Sequence, residues 1–382
     1  MKICDVVFNS IWYDPRVRRQ MIEYKNQGID IVGVGIKCNR FNEEKVAELR
    51  QRFIIDLVDA PQKGKRNVVS RIFKKWKEYH LLRDAMIAQK PDVIHANDIT
   101  GLIPGFWAAK KLKCRLIYDS HEINVENYTT KKRKIAAFVM KAIESYMVKR
   151  VDLMVCVSHA AAEYFEKEYK IKRPMVVTNC ALSEDIPSLE NMEKNDGFEI
   201  LNHGQFYEGR GYDVMAQACE LLKDYPEMKF AVRGFGKLEE FLHNAVDACS
   251  NPEQFRFYPK VLVQELIPQA TRSHVGVAIT EPICLNFKLS VSNKLFEYAA
   301  AGLPVIMSDI PEHRYLNDKY DFGIIIPDNS PQSLADAAIR LYTDKDLYQR
   351  LAENAKILTR EVNWETEFGR LVEVEQGWVA EK

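Results

Sequence analysis

The stretch Glu281 to Ile306, EPICLNFKLSVSNKLFEYAAAGLPVI, sets one carboxylate, Glu297, inside an otherwise apolar helical pattern. Asn293, Lys294 and Glu297 fall within the first turn and a half of that helix, whereas Leu295, Ala299 and Gly302 share another face. Ser290 or Ser292 can cap it, Gly302 can end it, and Pro304 stops it. A glutamate near a helix N-terminus gains about 0.3–1 kcal/mol from the dipole, which is the plain structural explanation. The chemical one is recognition of a cis-diol such as a ribose, because the two carboxylate oxygens accept one hydroxyl each. Upstream, HGQFYEGRGYDVMAQA (203–218) combines Gly204, Gly209 and Gly211 with Arg210 at a helix start, an arrangement suited to an anion such as phosphate. FAVRGFG places Arg233, Gly234 and Gly236 at a second strand end.

These loops need a scaffold, and the sequence provides one. In the first half the apolar runs ICDVVF, IDIVGVG, FIIDLV, DVIHA, RLIYDS, DLMVCVS and MVVTN alternate with helical segments. The second half restarts the pattern with EILNHG, KFAVRGFG, FRFYP, VGVAIT, PVIMS and GIIIP. Such alternation predicts parallel sheets covered on both faces, and 382 residues exceed what one core accommodates. The expected fold is α/β, with two doubly wound Rossmann-like domains and a cleft between them at the strand ends.

Composition narrows the class. Hydrophobic residues make up 47% and charged residues 28%, as in a globular protein. The eight cysteines are scattered without metal-ligand spacing, which predicts reduced thiols. MKICDVVF enters a strand directly and no apolar window reaches 18 residues, so a cytoplasmic protein is expected. Net charge is zero, yet residues 1–185 carry 34 Lys and Arg against 23 Asp and Glu, and the remainder 20 against 31. Basic residues concentrate in KGKRNVVSRIFKKWK (63–77), KKLK (110–113) and KKRK (131–134), with Phe73 and Trp76 interleaved. Solvated helix faces explain this, as does peripheral contact with an anionic membrane at its inner face. Neutral overall charge and the lack of a recognition motif argue against nucleic acid.

Taken in order, DPRVRR, PDVIHAND, YDSHE, VCVSHAAAEYF, the strand-end glycine and R-G pattern, G-F-G and SNKLFEYAAAGLPVI resemble the GT-B glycosyltransferases, specifically family 4. The resemblance implies a sugar transferase using a UDP- or GDP-sugar donor and a glycan or lipid-linked acceptor, retaining anomeric configuration and building surface polysaccharide. It implies an acceptor domain over 1–183, a nucleotide-sugar domain over 184–362 and a C-terminal helix over 363–382 that crosses back. Glu297 matches the ribose-binding glutamate and Arg210 the diphosphate-binding cation, with Gly204, Gln205, Arg233, Gly234, Ser290, Asn293 and Lys294 completing the donor set. Gln205 stands where relatives often have Arg, and Leu289 where the E-x7-E pattern has its first glutamate. This chain is similar instead to a sub-group reading S-x-P-N-K-L-F-E-Y.

His121 matches the active-site histidine, with Asp119 and Glu122 able to accept protons or orient it. Asp14, Arg16 and Arg19 match the loop facing donor phosphates and acceptor, and His95 and Asp98 are candidate acceptor contacts. No metal and no cofactor is expected: Asp344-Lys345-Asp346 spells D-x-D but introduces a helix, where N-capping explains it. A sugar-nucleotide 2-epimerase and a non-catalytic partner subunit are the alternative readings.

Overall fold

The structure is a computed structural model that describes residues 1–12, 14–37, 41–60, 68–126, 134–190 and 192–380. The chain divides into two compact units, one formed by residues 1–178 with 367–382 and the other by 179–366. The boundaries expected near 183 and 362 thus fall at 178 and 366. Thr178 ends the first unit with its N–H on Glu367 Oε2, 3.0 Å away.

The first unit is a parallel sheet of seven strands: β1 (Lys2–Val6), β2 (Asp30–Ile36), β3 (Ile54–Val58), β4 (Val93–Asn97), β5 (Arg115–Ser120), β6 (Leu153–Cys156) and β7 (Met175–Val176). Their order is β3-β2-β1-β4-β5-β6-β7. All seven coincide with the apolar runs read from the sequence. Ile3, Val6, Val32, Val34, Ile94, Ala96 and Ile117 are buried, as two-faced coverage requires. Chain direction across the sheet reverses between β1 and β4, and ligands of such folds bind beyond the strand ends at that point.

The turn after β1 is held tightly there. Asp14 caps the helix Pro15–Asn26, accepting from Val17 N–H at 3.2 Å, and takes a second bond from Asn9 Nδ2 at 2.9 Å. Ile11 sits at φ +64°, a left-handed conformation that a β-branched residue rarely adopts. Asp98, at the start of the helix Asp98–Leu112, shares it at φ +55°. Strain at both sides of the switch point is a mark of functional loops.

In the second unit six strands follow the order β10-β9-β8-β11-β12-β13, again wholly parallel. They are β8 (Phe198–Phe206), β9 (Met228–Gly236), β10 (Phe255–Tyr258), β11 (Val275–Ala278), β12 (Val305–Ser308) and β13 (Gly323–Ile326). Ile200, Phe230, Val232, Val277, Ile306 and Leu334 lie in its core. β8 and β9 run on beyond the rest of the sheet, and only glycine fits at their far end. A Cβ on Gly234, at φ +151°, would stand 1.8 Å from the carbonyl oxygen of Gly204.

The helix Asn293–Ala300 begins after Ser292, but Ser292 makes no side-chain cap and Ser290 is bonded only through its backbone to Asn286. The expected serine cap is therefore absent. Gly302 ends the helix at φ +70°. Asp344 caps the helix Lys345–Glu361 through Leu347 N–H at 2.9 Å.

The helix Trp364–Ala380 enters the first unit at Glu367. There Phe368 meets Tyr24 edge-on at 4.9 Å, and Tyr24 donates to Glu375 Oε1 at 2.7 Å. Among the described residues no helix is long and apolar enough to cross a membrane. Of the basic clusters, residues 63–67 and 131–133 lie outside the described residues. The remainder of the first and third begins the helices Val68–Gln89 and Lys134–Val148.

Candidate active site

In the second unit the donor-side candidates converge at the end of β8. Its second half presents Asn202, His203 and Gly204, and the helix Asn293–Ala300 supplies Lys294, Glu297 and Tyr298. Lys294 Nζ donates to Asn202 Oδ1 at 2.6 Å and to the Tyr212 hydroxyl at 3.3 Å. Burial, with the charge of Arg210 adding to it and Glu297 opposing, lowers Lys294 from 10.5 to about 7. Glu297, 22% exposed, accepts from His203 Nε2 at 2.7 Å.

Arg210 lies over the Phe287 ring at 4.1 Å while its carbonyl accepts from Asn202 Nδ2 at 3.1 Å. Gly211, at φ +76°, starts the helix Tyr212–Ala218 against Ile279, where a Cβ would clash at 2.5 Å. Two cations, a carboxylate and a strand end too tight for side chains thus share one corner of this unit. Gln205 and Asn293 are exposed beside it, and Ser290 is half-buried.

Arg233 has a different role from the one expected. It is buried, with its guanidinium 4.6 Å from the Tyr258 ring centre and Nη1 donating to the Pro259 carbonyl at 3.3 Å. That supports the end of β10, although Gly234 beside it stays in the close approach to Gly204.

In the first unit, His121 stands at the end of β5 and is 15% exposed. Its Nε2 is 2.8 Å from Asn97 Oδ1, and Asn97 Nδ2 donates in turn to Asp5 and to the Val6 carbonyl. Those bonds fix the amide's orientation, so its oxygen faces the ring and the imidazole carries its proton on Nε2. Asp98 Oδ1 accepts the His121 N–H at 3.1 Å and Asn124 Nδ2 at 3.0 Å, and burial raises its carboxyl. Asp5, wholly buried, is pushed up to about 7 by desolvation against the pull of His95 and Asn97.

Three expectations are corrected here. Arg16 is buried and bonded bidentately to Asp119, so it does not face phosphates. Asp119, also accepting from Gln20 at 2.6 Å, is no proton acceptor. Burial opposes its charge, yet Arg16, the hydrogen bond from His95 and the two imidazoles hold the carboxyl far below the usual range. His95 is fully buried, 2.8 Å from the Tyr24 hydroxyl through Nδ1, and out of reach of an acceptor. Arg19 bonds back to the Pro15 carbonyl at 3.2 Å and Glu122 is exposed.

His203, Asn202 and Tyr212 escaped the sequence reading, as did Asn97 and Asp5. His203 and Asn202 directly precede Gly204, so their position at the strand end was the one signal available.

Residues 14–184 match the family model described as Glycosyltransferase Family 4, and residues 188–358 the one described as Glycosyl transferases group 1. The protein is a GT-B glycosyltransferase resembling family 4. An uncharacterized glycosyltransferase of Haemophilus influenzae is 18% identical to it over 226 residues, 58% of this chain. That match spans 61% of the relative, less than two thirds of its length. Sucrose-phosphate synthase from Thermosynechococcus elongatus has the fold of this glycosyltransferase, with a TM-score of 0.77 at 12% identity over 100% of each chain. Anabaena HepE, solved with UDP-glucose, gives 0.73 at 13% identity over 99% of this chain and 100% of its own.

Proposed function

We propose that the protein is a nucleotide-sugar-dependent hexosyltransferase. It moves a sugar from a UDP- or GDP-sugar to a glycan or glycolipid acceptor in surface polysaccharide biosynthesis, with retention of configuration. The observation that carries this reading is Glu297, backed by His203 and set beside Lys294 and Arg210. A carboxylate next to two cations fits a nucleoside diphosphate, whose ribose offers a cis-diol and whose phosphates carry charge. The UDP and UDP-glucose complexes of Anabaena HepE agree with such a donor.

The chemistry follows from charge. As the glycosidic bond breaks, negative charge grows on the departing diphosphate and positive charge on the sugar. Arg210, and Lys294 where it is protonated, stabilise the former without a metal ion. His121 is the residue assigned to the sugar, with its tautomer set by Asn97 and Asp5.

The surface of the first unit supports a membrane setting for the acceptor. On the helix Lys134–Val148, Ile135 is 84% and Phe138 74% exposed; on Val68–Gln89, Phe73 and Trp76 are exposed too. The helix Asp98–Leu112 touches both, with Trp107 against His80 at 5.3 Å and Phe106 against Tyr146 at 6.2 Å. Apolar crests flanked by Arg71, Lys74, Lys77, Lys134 and Lys141 suit the anionic inner face of a membrane carrying a lipid-linked acceptor.

The test is incubation with a panel of nucleotide sugars, with and without membrane lipid extract, reading release of nucleoside diphosphate. Release stimulated by lipid supports the proposal. An isomerised sugar without release identifies a 2-epimerase, and no binding of any nucleotide in calorimetry identifies a non-catalytic partner subunit.

A further inference from the structure

His203 is a buried side chain of the donor corner to which the family pattern assigns no role, and it bonds directly to Glu297. Its ring lies 4.5 Å from that of Tyr298, tilted by 34°, and its backbone N–H donates to the Tyr298 hydroxyl at 2.8 Å. Nε2 meets Glu297 Oε2 at 2.7 Å, whereas Nδ1 is buried with no hydrogen-bond partner among the described residues. This asymmetry decides where the proton sits. A proton on Nδ1 would be a buried donor without an acceptor, so the ring carries its proton on Nε2, aimed at the carboxylate. Glu297 Oε2 is then the acceptor of that hydrogen bond.

We propose that His203 is a positioning residue that sets selection for the nucleoside sugar, holding Glu297 in one rotamer so that it accepts from a ribose diol. This rests on the reading of Glu297 as the ribose-binding group. A glutamate has three rotatable torsions, and one left unpinned on this helix would spread its lone pairs over many directions. Pinned through Oε2 by a ring that is itself clamped between backbone and Tyr298, it offers a fixed acceptor. A site that accepts from a particular hydroxyl discriminates against the analogue lacking it. His203 thereby converts a generic carboxylate into a selective one without touching the ligand.

The experiment is calorimetry on the full chain with UDP and GDP, each beside its 2′-deoxy form. The wild type is expected to prefer the ribonucleotide by roughly tenfold or more. His203→Phe keeps a ring against Tyr298 but removes the donor, and His203→Leu is the alternative should that variant not fold. In either, the preference should collapse to within about twofold while the 2′-deoxy affinity stays close to wild type. His203→Gln, whose amide can donate, should recover part of the preference. A folded donorless variant that keeps the wild-type preference overturns the proposal. Glu297→Ala separates the two layers: if it too keeps the preference, the ribose reading has failed; if it alone loses it, only the role of His203 has.

Discussion

Arg16 and Asp119, 103 residues apart, form a fully buried ion pair in the first unit, Nε to Oδ2 at 2.9 Å and Nη2 to Oδ1 at 3.0 Å. Arg16 also donates to the Val177 carbonyl at 3.0 Å, tying the first helix to the residue that follows the last strand of its sheet. Removing one partner strands the other charge away from water. Arg16→Ala is accordingly expected to cost about 3–5 kcal/mol, read as a fall in the urea midpoint of the transition that unfolds the first unit. A cost below about 1 kcal/mol, the range of exposed pairs, would contradict the structural role assigned here.

His121 receives its tautomer from Asn97, so two substitutions should act through one group. His121→Ala is expected to lower kcat for sugar transfer by about 100-fold or more. Asn97→Leu should reduce it as well while leaving nucleotide affinity unchanged. Steady-state kinetics beside calorimetry decides this; an Asn97→Leu variant that loses affinity but not turnover would contradict the relay.

Lys294 introduces a pH dependence whose sign is fixed by burial. Its ammonium titrates near 7 rather than 10.5, so charge is present below pH 7 and lost above it. Affinity for UDP or GDP should decline from pH 6 to 8.5. Lys294→Met should bind about 10- to 100-fold more weakly at pH 6 and show a flatter profile.

Glu375 is raised from 4.5 to about 8, chiefly by burial, with the Tyr24 hydrogen bond opposing. A carboxyl that ionises at higher pH when folded favours folding below about pH 4.5, and that contribution disappears as pH rises through 8. Asp5, raised to about 7, has the same sign. Melting temperature should therefore fall between pH 5 and 8, and Glu375→Gln should flatten part of the slope. An unchanged slope would mean that Glu375 is ionised throughout.

The exposed crests should matter for membranes and not for donor hydrolysis. Ile135→Ser with Phe138→Ser is expected to weaken co-sedimentation with phosphatidylglycerol vesicles, and added salt should weaken it further. Equal binding by variant and wild type would remove the lipid surface from the proposal.

The sequence made the architecture legible because parallel strands buried on both faces leave continuous apolar runs, and all thirteen were visible as such. Glu297 stood out for a related reason, being a charge where the helical pattern demands none. Arg16 could not be read correctly. In DPRVRR it looks like one of three surface cations, and nothing local announces an aspartate 103 residues downstream. His95 has the same history: its partners Tyr24 and Asp119 come from distant elements, and burial is a property of the assembled sheet. His203 differs again, because its neighbours in sequence reveal the strand end but not that Glu297 faces it. Pairing between remote segments separates what was legible from what was not.

The two units also differ in continuity. Residues 179–366 form one uninterrupted segment, whereas the first unit needs Phe368 and Glu375 against Tyr24 to close its core. The second unit can close its core from residues 179–366, while the first waits, with Tyr24 uncovered, for residues that lie beyond the second in the chain. The unit that begins earlier in the chain is the one whose core closes with the later residues. A chain truncated before residue 367 would therefore carry every residue of the second unit and leave the first one open.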